Sequence, residues 1–283
     1  MSNADLHIHS SYSDGSDTIK ELAEKINSSE IDIFALTDHD TVIGTNEIEK
    51  FLNNNITFIK GVELTCLAHG IKCHILGYNI NPKSEDLSNL ISKGKVLRRK
   101  KLETRIQFLK EKWNINLTKE ELEWLYTRTS VVKTHIANIL VNRGLADDNI
   151  TAMDKYLDGC KSPNTRFDGK EAIDVIKSAG GIPVWAHPLG GEGEKHCSKE
   201  EFLTKLKTMI NLGIQGLECH YSRYNDSEIE ILTNAAKENN LLITGGSDYH
   251  GRNKDIPLLQ LNSNGTHPDS EELTILESLF LKN

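Results

Sequence analysis

The feature that most restricts how this chain can fold is a recurring pairing: short apolar, strand-like runs, each followed at once by histidine or an acidic residue. Ala4-Asp5-Leu6-His7-Ile8-His9 alternates residue by residue, as a strand with one buried face does. Ile33-Phe34-Ala35-Leu36 runs into Thr37-Asp38-His39-Asp40, and Ile56-Thr57-Phe58-Ile59 continues into Gly61-Val62-Glu63. Later, the run from Ile182 to Ala186 meets His187, and the run from Leu241 to Thr244 leads to Asp248 and His250. Between such runs lie amphipathic helical patterns, the first around Ile19 to Ile26. This alternation predicts βα units, and therefore an α/β barrel whose functional face collects the strand ends.

The rhythm breaks once. After a strand from Ile71 to Tyr78, a long basic helix is predicted from about Ser84 to Trp113, with shorter helices near 118–127 and 133–144. The βα pattern resumes near Asp168. The expected organisation is a barrel in two parts, residues 1–83 and 166–283, with a small helical insertion domain over 84–165 that caps the substrate. A chain of 283 residues can bury cores for both. A formal charge of -8 disfavours duplex DNA as a partner, because neutralising phosphates would need a broad basic face. No run of about 18 apolar residues and no basic-then-apolar leader appear, so the expected location is cytoplasmic, away from membranes. Cys66, Cys73, Cys160, Cys197 and Cys219 are odd in number and lack a CxxC pair, which reads as packing and not as disulfides or a thiolate zinc site.

His7 and His9 share one face of their strand, so both imidazoles can turn to one ion. Alone, such a pair is equally two surface histidines; its company at the other strand ends is what points to metal. Imidazole and carboxylate without thiolate suit Mn, with Fe or Zn as alternatives, whereas Mg uses fewer histidines. Glu63 is the expected bridging carboxylate, since each oxygen can hold one of two ions spaced about 3.5–4 Å apart. Asp38 and Asp40 fall on the opposite pleat from His39 and are expected to orient imidazoles or a substrate hydroxyl.

The motifs His7-Ile8-His9-Ser10, Asp14-Gly15, Leu36-Thr37-Asp38-His39-Asp40, Gly61-Val62-Glu63, His74-Ile75-Leu76-Gly77, Ala186-His187-Pro188 and Gly246-Ser247-Asp248-Tyr249-His250-Gly251 together resemble the PHP (polymerase and histidinol phosphatase) family. The resemblance spans nearly the whole chain, in order. It implies a distorted (β/α)7 barrel with two to three divalent ions. Carried over, His7, His9, Glu63 and Asp248 look like ligands of one ion, Asp14, His39 and His250 of a second, and Glu63, His74 and His187 of a third.

The helical insert is most similar to that of family members acting on nucleoside monophosphates, 3′,5′-bisphosphates or short single-stranded RNA ends. Lys133-Thr134-His135-Ile136-Ala137 resembles their Arg-x-His-Ile-Ala segment, with lysine in place of arginine. Lysine keeps the charge and loses the bidentate fork. Arg98-Arg99-Lys100-Lys101 lies where those members carry basic residues that reach substrate. The resemblance therefore nominates Asp40, Arg99, Lys133, Thr134 and His135 as substrate contacts; Arg223 could also reach the site but reads first as an exposed loop arginine. The expected reaction is attack of a metal-activated hydroxide on phosphorus in line with the leaving oxygen, with His135 assisting the leaving group. Three other readings are a histidinol-phosphate phosphatase, a 5′-3′ exonuclease on RNA ends, and a metal-stabilised module without activity.

Overall fold

The computed structural model, which describes residues 2–128 and 131–280, holds an eight-stranded sheet, seven of whose strands form one continuous path. Strands β1 (Ala4–Ile8), β2 (Ile33–Leu36) and β3 (Thr57–Ala68) run parallel, each rich in the branched apolar residues that pack on a pleated surface. Strand β4 (Ile71–Tyr78) returns antiparallel to β3 with no intervening helix. The turn at His69 and Gly70 makes that hairpin, with φ of 47° and 87° at the two residues, a pairing that matches strand twist.

After the helical block comes a two-residue strand, β5 (Phe167–Asp168), which pairs with the far end of β3. Strand β6 (Ile182–Ala186) lies antiparallel to β4, and β7 (Gly216–Tyr221) and β8 (Leu242–Gly246) follow in parallel. Backbone bonds from Asp248 to His7 and from His9 to Tyr249, 2.8 and 2.9 Å long, bring the last strand back to the first. The result is a nearly closed barrel, distorted by the single reversed strand β4. The close approach of β8 to β1 requires Gly246, where a Cβ would sit 2.2 Å from that of His7.

Helix α1 (Ile19–Asn27) shows how local signals place the outer layer. Thr18 and Glu21 form a reciprocal capping box, and Ile19, Leu22, Ala23 and Ile26 fall on one buried stripe against Ile8, Phe34 and Leu36.

The helical block comprises α2 (Glu85–Trp113), α3 (Lys119–Thr127), α4 (Lys133–Asn142) and the short α5 (Asn149–Ala152). It has its own apolar cluster, including Leu102, Leu109, Leu125, Ile136, Leu140 and Tyr156. Helix α2 belongs to two cores. Its root (Leu87, Leu90, Ile91) joins the barrel's core and lies along α6 (Gly169–Ser178), while its far half enters the block's cluster. At the crossing, Gly94 lies against Phe167, whose ring leaves no room for a Cβ. The outer layer is completed by α7 (Lys199–Leu212), α8 (Asp226–Glu238) and α9 (Ile275–Phe280).

Candidate metal centre

All nine residues nominated as ligands converge at one end of the barrel. The hub is Glu63, fully buried in β3. Its Oε2 lies 3.2 Å from Nε2 of both His7 and His9 and 3.0 Å from Nδ1 of His39. Its Oε1 lies 2.9 Å from Nδ1 of His74 and 3.3 Å from Nε2 of His187. On the opposite side, Asp248 Oδ1 is 3.5 and 3.3 Å from His7 and His9, and Asp14 Oδ1 is 3.0 Å from His250 Nε2.

These positions follow from the strands. His7 belongs to β1 itself, and His187 and Asp248 follow β6 and β8 at turns where φ is positive, 29° and 58°. Such backbone is costly for non-glycine residues and persists where surrounding structure enforces it. Glu63 departs from the strand-end expectation, and His74 lies within the strand expected for it. Glu63 lies mid-strand, because β3 continues five residues beyond it to Ala68, and His74 projects from the middle of antiparallel β4 opposite Thr65.

Several imidazoles are held with one nitrogen outward and the other facing the centre. Glu218 Oε1 accepts a 2.8 Å bond from His7 Nδ1, and the carbonyl oxygen of Asp248 accepts one of 2.8 Å from His250 Nδ1. With both partners accepting, both Nδ1 atoms donate and both Nε2 atoms face inward. Six buried atoms at the centre have no hydrogen-bond partner: Nε2 of His7, His9 and His250, Nδ1 of His39, Oδ1 of Asp14 and Oε2 of Glu63. Orphans of this kind are rare in folded proteins, and six facing one another are what a shared cation would satisfy. Ligand atoms fall within 4.8 Å of each other in three sets: His9, Asp14, His39 and His250; His7, His9, Glu63 and Asp248; and His39, Glu63 and His74. His187 and His74 additionally converge on Oε1 of Glu63, 3.3 Å from each other.

The electrostatics agree. Burial opposes ionisation of Glu63, yet the imidazoles of His39, His7 and His74 outweigh it and hold the carboxyl well below its usual range. Burial likewise works against Asp14 and Asp248, which His250 and His39 in one case, and Lys254 and His250 in the other, keep ionised. Conversely, burial disfavours charge on His7, but Glu218, Glu63 and Asp248 raise its pKa well above that of free imidazole. Without cations, the site holds its negative charge together with protons.

The substrate contacts nominated from sequence fare unevenly. Lys133 lines a cavity of about 150 Å³ beside His39 and His74. Arg99 does not; it is exposed, with its guanidinium 3.6 Å from the centre of the Tyr126 ring. The residue one step earlier, Arg98, reaches that cavity instead, together with Lys101, Arg105 and Arg166. Residues 98, 101 and 105 share a helical face from which residue 99 is rotated by about 100°. Asp40 is not available to substrate: it is 2% exposed, pairs with Arg98 and accepts from both the backbone and hydroxyl of Thr65. Asp38 touches no imidazole. The strand stops at Leu36, and Asp38 instead accepts from Ser10 and Ser13, fixing the loop that carries Asp14. Thr134 sits half-buried in the first turn of α4, outside the cavity, and Arg223 pairs with Glu192. His135 is buried, takes the Val132 N–H on Nδ1 at 3.1 Å, and has its pKa pushed by burial to about 4.

Three residues were not read from sequence. Glu218 supports His7 and accepts the His187 backbone N–H at 2.7 Å; its signal was a carboxylate within the apolar run Gly216-Leu217-Glu218-Cys219, where an unpaired charge is costly. Lys254 and Tyr221 donate to Asp248 Oδ2 at 2.6 and 3.1 Å. They carried no comparable signal.

A nearly closed α/β barrel with nitrogen and oxygen ligands massed at one rim defines a metal-dependent hydrolase. Residues 5–165 match the PHP domain, and the chain belongs to the PHP family. It is 29% identical to a 5′-3′ exoribonuclease of Haemophilus influenzae over 89% of this chain and 94% of that protein. It is 27% identical to a 3′,5′-nucleoside bisphosphate phosphatase of Chromobacterium violaceum, covering 91% and 93%. Among solved structures, a Bifidobacterium adolescentis protein assigned to the metal-dependent phosphoesterases superposes with a TM-score of 0.81 at 25% identity, over 98% and 95% of the two chains. An amidohydrolase from Chromobacterium violaceum with bound sulfate and no metal superposes at 0.80 and 26% over the full length of both. The protein is a phosphoester hydrolase dependent on divalent metal.

Proposed function

We propose that the enzyme removes a phosphate monoester from a nucleotide, a nucleoside 3′,5′-bisphosphate or monophosphate. The observation that carries this reading is the cationic cavity beside the ligand cluster. Arg98, Lys101, Arg105, Lys133 and Arg166 line it, and the carboxylate of Asp40 pairs with Arg98. Burial, reinforced by Arg105, Arg166, Arg98 and Lys133, pushes the Lys101 ammonium down to about 8, a sign of positive charge awaiting an anion. A second phosphate of a bisphosphate fits that description, and a relative named for such substrates supports it.

The nine residues His7, His9, Asp14, His39, Glu63, His74, His187, Asp248 and His250 would hold two to three ions, with Mn the first choice and Fe or Zn next. When bound, such ions activate water at neutral pH and neutralise charge on phosphoryl oxygens. The chain supplies the rest. Glu218 fixes the His7 tautomer, Lys254 and Tyr221 hold Asp248, and Asp38 braces the Asp14 loop. Arg98 and Lys133 draw the phosphate in, and His135, kept neutral by burial and placed beside Asp14 and the Ser13 backbone, is the candidate to assist the departing oxygen. No helix among the described residues is long and apolar enough to cross a membrane. A cytoplasmic setting is supported by five free cysteines.

A second reading, hydrolysis from short RNA 5′ ends, is favoured by a cleft of about 970 Å³ that opens beyond His135. The test is a screen of chelated, then Mn-restored protein on mononucleotides, bisphosphates, histidinol phosphate and 5′-phosphorylated oligoribonucleotides, with Asp248→Ala as control. Metal-dependent phosphate release from nucleotides is expected. Turnover that survives chelation, or is confined to histidinol phosphate, would sink the proposal.

A further inference from the structure

Of the cavities around the ligand cluster, the two lined in part by α4 differ in character. The cationic one is small. The cleft beyond His135 is about 970 Å³, lies between the barrel rim and helices α3 and α4, and mixes acids such as Glu120 and Asp148 with bases such as Arg252. A phosphate has no reason to prefer it. Its inner wall is a stripe on α4: His135, Asn138 and Asn142, at helical spacings of three and four residues, all face the cleft. The stripe runs about 10 Å outward from His135, roughly the reach of a nucleoside from its phosphate.

At the His135 end of the stripe stands Trp124, with the Arg128 guanidinium 4.4 Å from its ring centre and the His135 ring edge-on at 5.6 Å. Arg128 is pinned there by a 3.0 Å bond to the Ser11 carbonyl, so that ring and guanidinium line the cleft together. Stacking planes together with amide groups, each offering a donor and an acceptor, are how proteins hold an unpaired base and read its edge.

We propose that this cleft is the base-recognition site of the enzyme, with Trp124 and Arg128 as the stacking platform and Asn138 and Asn142 as the groups that read the base edge. The inference rests on the nucleotide reading given above and deepens it, since the cationic cavity by itself would accept any bisphosphate. It makes the insert a selector for the base as well as a cap.

The experiment compares kcat/KM of the Mn-loaded enzyme for the four ribonucleoside monophosphates and for ribose 5-phosphate, in wild type, Asn138→Asp and Trp124→Leu. The near-isosteric Asn138→Asp exchanges an amide donor for an acceptor, and is expected to re-rank the four bases by about tenfold at the extremes. Trp124→Leu is expected to lower the nucleotide-to-ribose-phosphate ratio about tenfold or more for every base. Thermal melts identify a variant that fails to fold, and Asn138→Asp then carries the decision. A wild type that treats ribose 5-phosphate and nucleotides alike, or variants whose ratios and ranking stay within twofold, overturns the base site and leaves the nucleotide reading standing. Hydrolysis of ribose 5-phosphate with none of any nucleotide overturns both.

Discussion

The barrel rim and the helical insert solve the same problem, holding charge out of water, in opposite ways. At the rim, negative carboxylates are buried among imidazoles on strands, and the backbone itself dictates where each donor points. In the insert, positive side chains are gathered on one face of α2, where direction depends on the rotation of a helix. The rim takes its directions from sheet geometry, whereas a side chain of the insert takes its direction from the phase of its helix. On the proposed reading, chemistry lies at the rim and substrate selection in the insert.

The sharpest way to break this division is to remove the hub. Glu63→Gln, which keeps shape and loses charge, is expected to reduce kcat/KM about 10³-fold or more while stoichiometric metal binding, measured by calorimetry and elemental analysis, falls with it. An active variant with full metal content would show that Glu63 does not organise the centre. Next in size is the contrast within the insert. Arg98→Ala is expected to cost about 10²-fold in kcat/KM for a bisphosphate, and Arg99→Ala no more than about twofold, because residue 99 faces solvent and Tyr126. Equal effects would erase the assignment of the α2 face.

Glu218→Gln probes the rim from behind. It leaves every proposed ligand in place and is expected to weaken metal binding about 10- to 100-fold, through loss of the carboxylate that orients His7. The smallest effect concerns pH. Burial resists charging His7 and His39, but Glu63 and its fellow carboxylates raise both pKa values. These rings therefore stay protonated to higher pH than free imidazole, and metal must displace the protons. Apparent metal affinity should strengthen as pH rises through that range, by about tenfold per unit for each proton displaced, and weaken below it. The metal-free protein should show the reverse. Its stabilisation from charged His7 is present below about pH 6.5 and fades as pH climbs through the raised value. Titrations at three pH values, with melts of metal-free protein alongside, check both signs.

The same contrast explains what could be read from the sequence. Strands at the rim announce themselves by alternation, and a period of two leaves a residue only two faces, so His7 and His9 could be oriented at once. The run Arg98-Arg99-Lys100-Lys101 offers no such constraint. Four consecutive bases point in four directions around a helix, and the phase has to be taken from the flanking stripe of Ile91, Gly94 and Leu102, which passes through Arg98, so nominating Arg99 missed the residue that lines the cavity. Asp40 illustrates another gap, since its partner Arg98 is 58 residues away and nothing local predicts the pair. The reversal of β4, which brings His74 in from mid-strand, is a matter of topology that strand periodicity does not encode. Glu218 was legible in principle as a charge in an apolar strand, though only a structure reveals that it answers His7.

Gly94 has a consequence for how such an enzyme can diversify. It is the contact at which α2 is seated on Phe167, and the seating sets the angular phase of every cation further along the helix. A lineage that enlarges residue 94 must displace Phe167 or turn the helix. Turning it would exchange the set of charges presented to the substrate without altering any residue that touches it. Heritable drift in specificity could then originate about 6 Å along the helix from Arg98, at a position that an alignment of active-site residues would never flag.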